Sequence, residues 1–240
     1  MSITKPIVFI SALLITSLSI AQFPKKLKKN LPPLSKNESP LSQDIIGKGL
    51  KEALTKGVEK GVEKISKPDG FFKNEEIKIT MPPNTQKIES KLRKVGQGKK
   101  VDAAIESFNR AAEDASKEAK DIFVQAIKEM SITDAKKILT GKDDAATTYL
   151  KDKTRPELYK KFEPIIEKSL GKVGATKHWS TVINAYNKIP FVEKTNPDIK
   201  GYVTNKAIDG LFIQVANEEK EIRKNPVART SDLLKKVFTK

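Results

Sequence analysis

Between Val101 and Met130, apolar residues recur at Val101, Ile105, Phe108, Ala112, Ala115, Ala119, Ile122, Ala126 and Met130. Steps of four and three follow a helix, not the two-residue alternation of a strand. A continuous helix of about thirty residues would be a rod of roughly 45 Å, long enough to cross a domain and to require other helices along it. Its middle, at Ala112, Ala115 and Ala119, is narrow enough for a partner helix to come close. Ser116 marks where the rod could divide into two helices, because alanines give the turn little packing and serine favours a helix start.

The same period fills most of the chain. Ser39 as cap and Pro40 at the first position open a helix to about Ile65, with Ile46, Leu50, Leu54, Val58, Val62 and Ile65 on one face. Gly57 and Gly61 share a stripe of that helix, where glycine costs about 1 kcal/mol against alanine and a closely packed neighbour would compensate. A short helix over about Thr85 to Val95 is closed by Gly96 and Gly98. Ser131 and Asp134 form an acidic capping box for a helix that Gly141 ends, and another runs from Asp143 or Asp144 to about Thr154. Thr154-Arg155-Pro156-Glu157 then reads as a fresh capping box, opening a helix to about Leu170 that Pro164 kinks. One more covers about Lys177 to Tyr186. Asn196 and Pro197 open a long helix to about Arg223, and Thr230 caps a terminal one bearing Leu233, Leu234, Val237 and Phe238.

Residues 67–83 break the pattern. Pro68-Asp69-Gly70 makes a turn, and Ile77 to Met81 alternates like a short strand ending at Pro82-Pro83. One strand builds no sheet, so this stretch predicts an extended loop that lays its isoleucines on the core. The expected fold is all-α: a single-domain multi-helix bundle of about nine or ten helices, with one ordered extended loop near residues 67–83.

Composition adds a compartment. Lys5, the apolar run Ile7 to Ile20 and the small-x-small triplet Ser19-Ile20-Ala21 read as a signal peptide over residues 1–21, cleaved near Ala21-Gln22 into a periplasmic or secreted protein. Residues 22–40 are basic and proline-rich and read as a disordered or extended linker, leaving 41–240 as the helical domain. No stretch of the mature chain is long and apolar enough for a transmembrane span. The absence of cysteine excludes a disulfide framework, a thiolate metal site, a cysteine nucleophile and a lipoprotein anchor. Formal charge is 46 − 30 = +16, and +15 once Lys5 is removed. Only Arg93, Arg110, Arg155, Arg223 and Arg229 are arginine. The many lysines read as solvated surface, whereas the planar arginine fork suits fixed partners.

A search for catalytic chemistry is mostly exclusion. Thr140-Gly141-Lys142 lacks the earlier glycine of a phosphate loop and is followed by Asp143-Asp144, which would repel phosphate. His178 is the sole histidine, which excludes paired-histidine metal sites; beside Trp179 it reads as a partly exposed structural pair. No cofactor and no metal is called for. What remains is a candidate polar cluster, structural or binding: Asn109, Arg110, Glu113, Asp143, Asp144, Arg155, Glu218, Glu219 and Arg229. Glu218 lies on the inward stripe of its helix, with Glu219 beside it. A carboxylate there must be partnered, because burying it alone costs several kcal/mol. Arg110, Arg155 and Arg229 are the expected partners, ahead of Arg223, whose one-turn spacing suggests only a local pair.

The runs Gly49-Leu50-Lys51-Glu52-Ala53-Leu54, Lys67-Pro68-Asp69-Gly70-Phe71, Asn109-Arg110-Ala111-Ala112-Glu113, Asp144-Ala145-Ala146-Thr147, Ala207-Ile208-Asp209-Gly210-Leu211-Phe212 and Ala228-Arg229-Thr230 resemble a bacterial exported family catalogued as domain of unknown function 4197. The resemblance covers about Leu41 to Phe238. It implies an all-helical domain behind a signal peptide, and neither an activity nor functional residues. The functional expectation is a non-catalytic exported envelope protein that binds an anionic envelope component or another protein; nothing points to specific nucleic-acid binding. The alternative is a hydrolase built on Glu113, Asp143, Asp144 and Glu218, with or without Mg or Ca.

Overall fold

The structure is a computed structural model that describes residues 43–172, 174–188, 190–191, 193–196 and 198–225. The expected signal peptide, linker and Ser39-Pro40 helix start lie outside the described residues, as do Pro197, Arg229 and the helix capped by Thr230. Eight α-helices are described: α1 (Gln43–Ile65), α2 (Gln86–Lys94), α3 (Gly98–Ser116), α4 (Ala119–Glu129), α5 (Ile132–Thr140), α6 (Ala145–Lys172), α7 (Ala175–Asn187) and α8 (Ile199–Lys224). A 3-10 turn, Pro83–Thr85, precedes α2, and no strand occurs among the described residues. The long helices α6 and α8 pack on each other; α3 lies against both, α1 against α8, and α4 and α7 against α6.

The predicted rod divides where its alanines are thinnest. Ala111, Ala112, Ala115 and Ala119 are all fully buried, and α3 ends at Ser116. Ser116 does not cap the next helix: its hydroxyl, also buried, donates backwards to the Ala112 carbonyl at 2.7 Å. Such back-bonding competes with the helix ladder and bends it.

At Thr154 the sequence reading is corrected: two expected helices are one, which, with the Thr230 helix outside the described residues, leaves eight described where nine or ten were expected. No helix begins there; α6 runs unbroken through Pro156 and Pro164. Thr154 is buried and its hydroxyl donates to the Leu150 carbonyl at 2.6 Å, so it is not free to cap. Leu150, Thr154, Leu158, Phe162, Ile166 and Leu170 form one buried stripe at four-residue steps. Burying the four large side chains after Thr154 contributes about 1.5–3 kcal/mol each, against about 3 kcal/mol for a proline inside a helix, so packing carries α6 across both prolines. At α8 the cap is Asp198, whose carboxylate accepts from Gly201 N, rather than Asn196. The side chain of Asn196 instead accepts from Asp198 N at 2.9 Å, an Asx turn leading into the cap.

The extended loop is ordered as expected and buries Phe71, Ile77, Ile79 and Met81. Its opening turn needs glycine: a Cβ on Gly70 would stand 2.5 Å from the Ile65 carbonyl oxygen. Asp69 before it takes a left-handed φ of 69°. Gly210 on α8 lets the loop seat against the helix, since a Cβ there would meet the Phe71 ring at 2.7 Å.

Candidate functional site

The predicted polar residues that the structure describes do not form one cluster, and most of them are already bonded in separate groups. In the first, α3 holds the extended loop. The Asn109 amide accepts from Ile79 N at 2.8 Å and donates to Ile79 O at 2.9 Å, replacing the strand partner that the loop lacks. One turn on, Glu113 accepts from the backbone of Phe71 and Phe72 at 3.1 and 3.2 Å and from Arg110 at 2.9 Å. Arg110 also donates to Asp69 at 2.8 Å and stands over the Phe72 ring. Lys73, hydrogen-bonded to Asp69, and then Arg110 hold the Asp69 carboxyl below its ordinary value.

The second group sits at the start of α6. Glu219 reaches from α8 to accept from Ala146 N at 3.0 Å, Thr147 N at 2.9 Å and the Thr147 hydroxyl at 2.8 Å. It thereby does for α6 what an N-cap side chain does, from 72 residues away, with its charge on the positive end of the helix. Two of the expected arginine partners, Arg110 and Arg155, are corrected here, while Arg229 lies outside the described residues. Arg223 is the residue that pairs with Glu219, at 2.8 Å, with only 12% of its side chain exposed. Arg110 is engaged at the loop, and Arg155 pairs with Asp209 at 2.8 Å and Asn205 at 3.3 Å. The one-turn pair is buried because Arg223 also donates to the Ile138 carbonyl at 2.8 Å, filling the space at the end of α5. Glu218 points inward as well; it accepts from Gln214 at 3.1 Å and from exposed Lys60 at 2.8 Å. Gly61 permits this approach of α1, its position facing Gln214 and Glu218.

Asp143 pairs with Lys224 on the surface, and Asp144 is exposed. Among the described residues no three His, Cys, Asp or Glu side chains gather as a metal site would require. Asn109, Glu113 and Glu219 thus fasten helices and loop together, their acceptor oxygens taken up by N–H and O–H donors.

The open site lies elsewhere. A cleft of about 470 Å³ is walled by Pro82, Pro83 and Asn84, Tyr159 of α6, Trp179 of α7, Thr195, Asn196 and Asp198 ahead of α8, and Gly201, Tyr202, Asn205 and Lys206 on α8. That volume falls within the usual range of small-molecule sites. Asn187 fixes its rim as Asn109 fixes the loop, accepting from Thr195 N and donating to Thr195 O, both at 2.8 Å. The Tyr202 hydroxyl donates to Thr80 O at 3.1 Å, tying α8 to the loop that leads into Pro82. Burial pushes the Tyr159 and Tyr202 hydroxyls above the ordinary tyrosine value, so both are neutral at physiological pH. Two lining residues carry buried polar atoms without a hydrogen-bond partner among the described residues: Trp179 Nε1 and Thr195 Oγ1. Trp179 is 7% exposed and Thr195 4%.

None of the cleft residues was singled out as functional from sequence. In the sequence Trp179 reads as structural through its neighbour His178, whose side chain lies outside the described residues. A signal did exist in composition: the chain has four tyrosines and one tryptophan, and three of these five converge on this cleft. Their positions in three helices hid it.

No curated protein and no solved structure matches the chain. Residues 40–239 match the family described as "Protein of unknown function (DUF4197)", and this chain belongs to that family.

Proposed function

We propose that the protein is an exported, non-catalytic binding protein whose specific site is the cleft between α6, α7 and α8. The observation that carries this reading is a cleft of ligand size, two of whose lining residues, Trp179 and Thr195, each hold a buried polar atom without a partner among the described residues. Leaving a buried donor unsatisfied costs about 1–3 kcal/mol, a cost that a ligand or bridging water can relieve. Export rests on the signal-like residues 1–21. The lysine-rich surface supports a weaker, salt-screened attraction to anionic envelope material, which would concentrate the protein near its ligand.

The hydrolase alternative loses support from the same geometry. Of its four carboxylates, Glu113 is occupied by backbone N–H groups and Arg110, Glu218 by Gln214 and Lys60, and Asp143 by Lys224. Proton transfer needs a carboxylate within reach of substrate, and these groups lie apart from the cleft walls.

Trp179 is the only tryptophan, so its indole N–H gives one assignable resonance in the ¹⁵N-labelled chain. Titration with monosaccharides, dipeptides and nucleosides at millimolar concentration should move that resonance saturably for at least one class, together with signals of Tyr159 and Tyr202. If every class leaves it unmoved, or shifts only residues remote from the cleft, the proposal fails.

A further inference from the structure

Resting on that reading of the cleft, we infer that its ligand is a neutral saccharide, held by a pyranose ring against the aromatic wall and by vicinal hydroxyls at the polar rim.

The aromatic side of the argument concerns Tyr159, Trp179 and Tyr202. The Tyr202 hydroxyl is engaged with Thr80 O, and that of Tyr159 lies 3.4 Å from Glu163, so what these tyrosines chiefly offer a ligand is ring surface. An aromatic face is electron-rich and an edge electron-poor. The axial C–H bonds of a pyranose carry small positive charge and form a flat apolar patch, which such a face accepts without removing a hydroxyl from its partners.

The polar side sets the functional groups. Trp179 Nε1 can only donate, Thr195 Oγ1 can do either, and a carboxylate such as Asp198 can only accept. Asp198 uses Oδ1 on Gly201 N at 3.0 Å, and its Oδ2 has no hydrogen-bond partner among those described. The Asn196 amide likewise uses its oxygen on Asp198 N, which leaves its N–H₂ available. A ligand answering them must both donate and accept, as a hydroxyl does. A proline-rich segment, the other common guest of Tyr/Trp/Pro-lined grooves, offers carbonyls but no N–H at proline, and would leave Asp198 Oδ2 unanswered. Charge points the same way: the cleft carries one acidic residue, Asp198, and one lysine, Lys206, so it selects neither anion nor cation strongly.

The test is calorimetric and NMR titration of the whole chain with cellobiose and chitobiose, with a PPLP-type peptide and adenosine as competing classes. The expected result is saturable binding of at least one disaccharide, tighter than peptide or nucleoside, with the Trp179 indole N–H shifting on binding. Trp179→Phe, which keeps a ring and loses the donor, should weaken that binding about fivefold to tenfold, the value of one neutral hydrogen bond. Asp198→Asn, an exposed change that keeps an oxygen for the Gly201 N cap and puts a donor where the open acceptor Oδ2 stood, should weaken it at least twofold, and keeps the test valid if the Trp179 variant does not fold. Binding of peptide or adenosine in preference to both disaccharides, with the indole shifting, overturns the saccharide inference and leaves the cleft as a site. Absence of any binding from all classes overturns both. Disaccharide binding unaffected in both variants overturns the placement of the sugar here.

Discussion

Removing Glu219 should cost the fold more than removing any ordinary surface acid. The side chain is 5% exposed and accepts from two backbone N–H groups, one hydroxyl and the Arg223 guanidinium. Glu219→Ala strips the first turn of α6 of its cap, a loss of about 1 kcal/mol. It also takes the carboxylate from a guanidinium that is 12% exposed, and breaking a buried pair costs about 3–5 kcal/mol. Arg223 keeps its bonds to the Ile138 and Leu139 carbonyls, which places the pair term at the lower end of that range. The expected total is about 4 kcal/mol. With a urea slope of about 3 kcal/mol/M, the unfolding midpoint falls by more than about 1 M. Glu218→Ala is the internal comparison: its cationic partner Lys60 is 67% exposed and only the buried Gln214 amide loses an acceptor, so that variant should lose about 2 kcal/mol. A loss below about 1 kcal/mol for Glu219→Ala, or equal losses for the two, would refute the inter-helix capping argument.

Other substitutions follow from single contacts. Asn109→Ala leaves the buried Ile79 N–H and C=O without their partner and should destabilise by about 2–3 kcal/mol; hydrogen exchange at the Ile79 amide should accelerate more than at core helix amides. Gly210→Ala should destabilise by about 1–3 kcal/mol in thermal unfolding although alanine favours helix, because the new methyl meets the fully buried Phe71 ring at 2.7 Å. Acid should weaken the fold through Asp69, Asp134 and Asp143, each held below the ordinary 3.8 by Lys73, Ser131 and Lys224 respectively. A depressed folded-state value gives stability that is fully present above the unfolded-state value and lost as pH falls through the folded one, so the decline begins below about pH 4. Urea unfolding between about pH 5 and pH 2 checks it, and a midpoint that holds constant over that range contradicts it.

Helical periodicity made the bundle legible because each long helix has one buried stripe, and the loop at 67–83 because prolines and glycine punctuate it. What failed were boundaries that depend on competition. Thr154 and Pro156 look like a start signal locally, yet a stripe from Leu150 to Leu170 outweighs two prolines, and no local pattern displays that sum. The importance of Glu218 and Glu219 was visible in their inward register, whereas their partners were not. Glu219 serves backbone N–H groups, which leave no trace in side-chain identity, and Arg223 is buried by the end of α5, a neighbour the sequence does not announce. The cleft was illegible for a related reason: its aromatics occupy positions 159, 179 and 202, and only the crossing of α6, α7 and α8 brings them together.

The two fastening points differ in how they should affect the cleft. Asn109 clamps Ile79, three residues before Pro82, and Tyr202 bonds Thr80 between them, so the α3 amide and one tyrosine hydroxyl hold the backbone that leads into the Pro82–Asn84 wall, beside the buried Ile77, Ile79 and Met81. Releasing Ile79 frees the segment that carries this wall while α6, α7 and α8 stay packed. Glu219 acts at the other end of α8: seventeen residues separate it from Tyr202, about 26 Å along the axis. Asn109→Ala should therefore weaken binding of any probe that shifts the Trp179 indole, by threefold or more under conditions where the variant is fully folded. Glu219→Ala, although the more destabilising change, should leave that affinity within twofold of the unmodified chain. Stability and binding would then be carried by different polar centres, even though both use a buried side chain to hold distant backbone. Equal loss of affinity in the two variants would show instead that the cleft follows global stability, and an unchanged affinity in Asn109→Ala would show that the wall does not depend on the α3 amide.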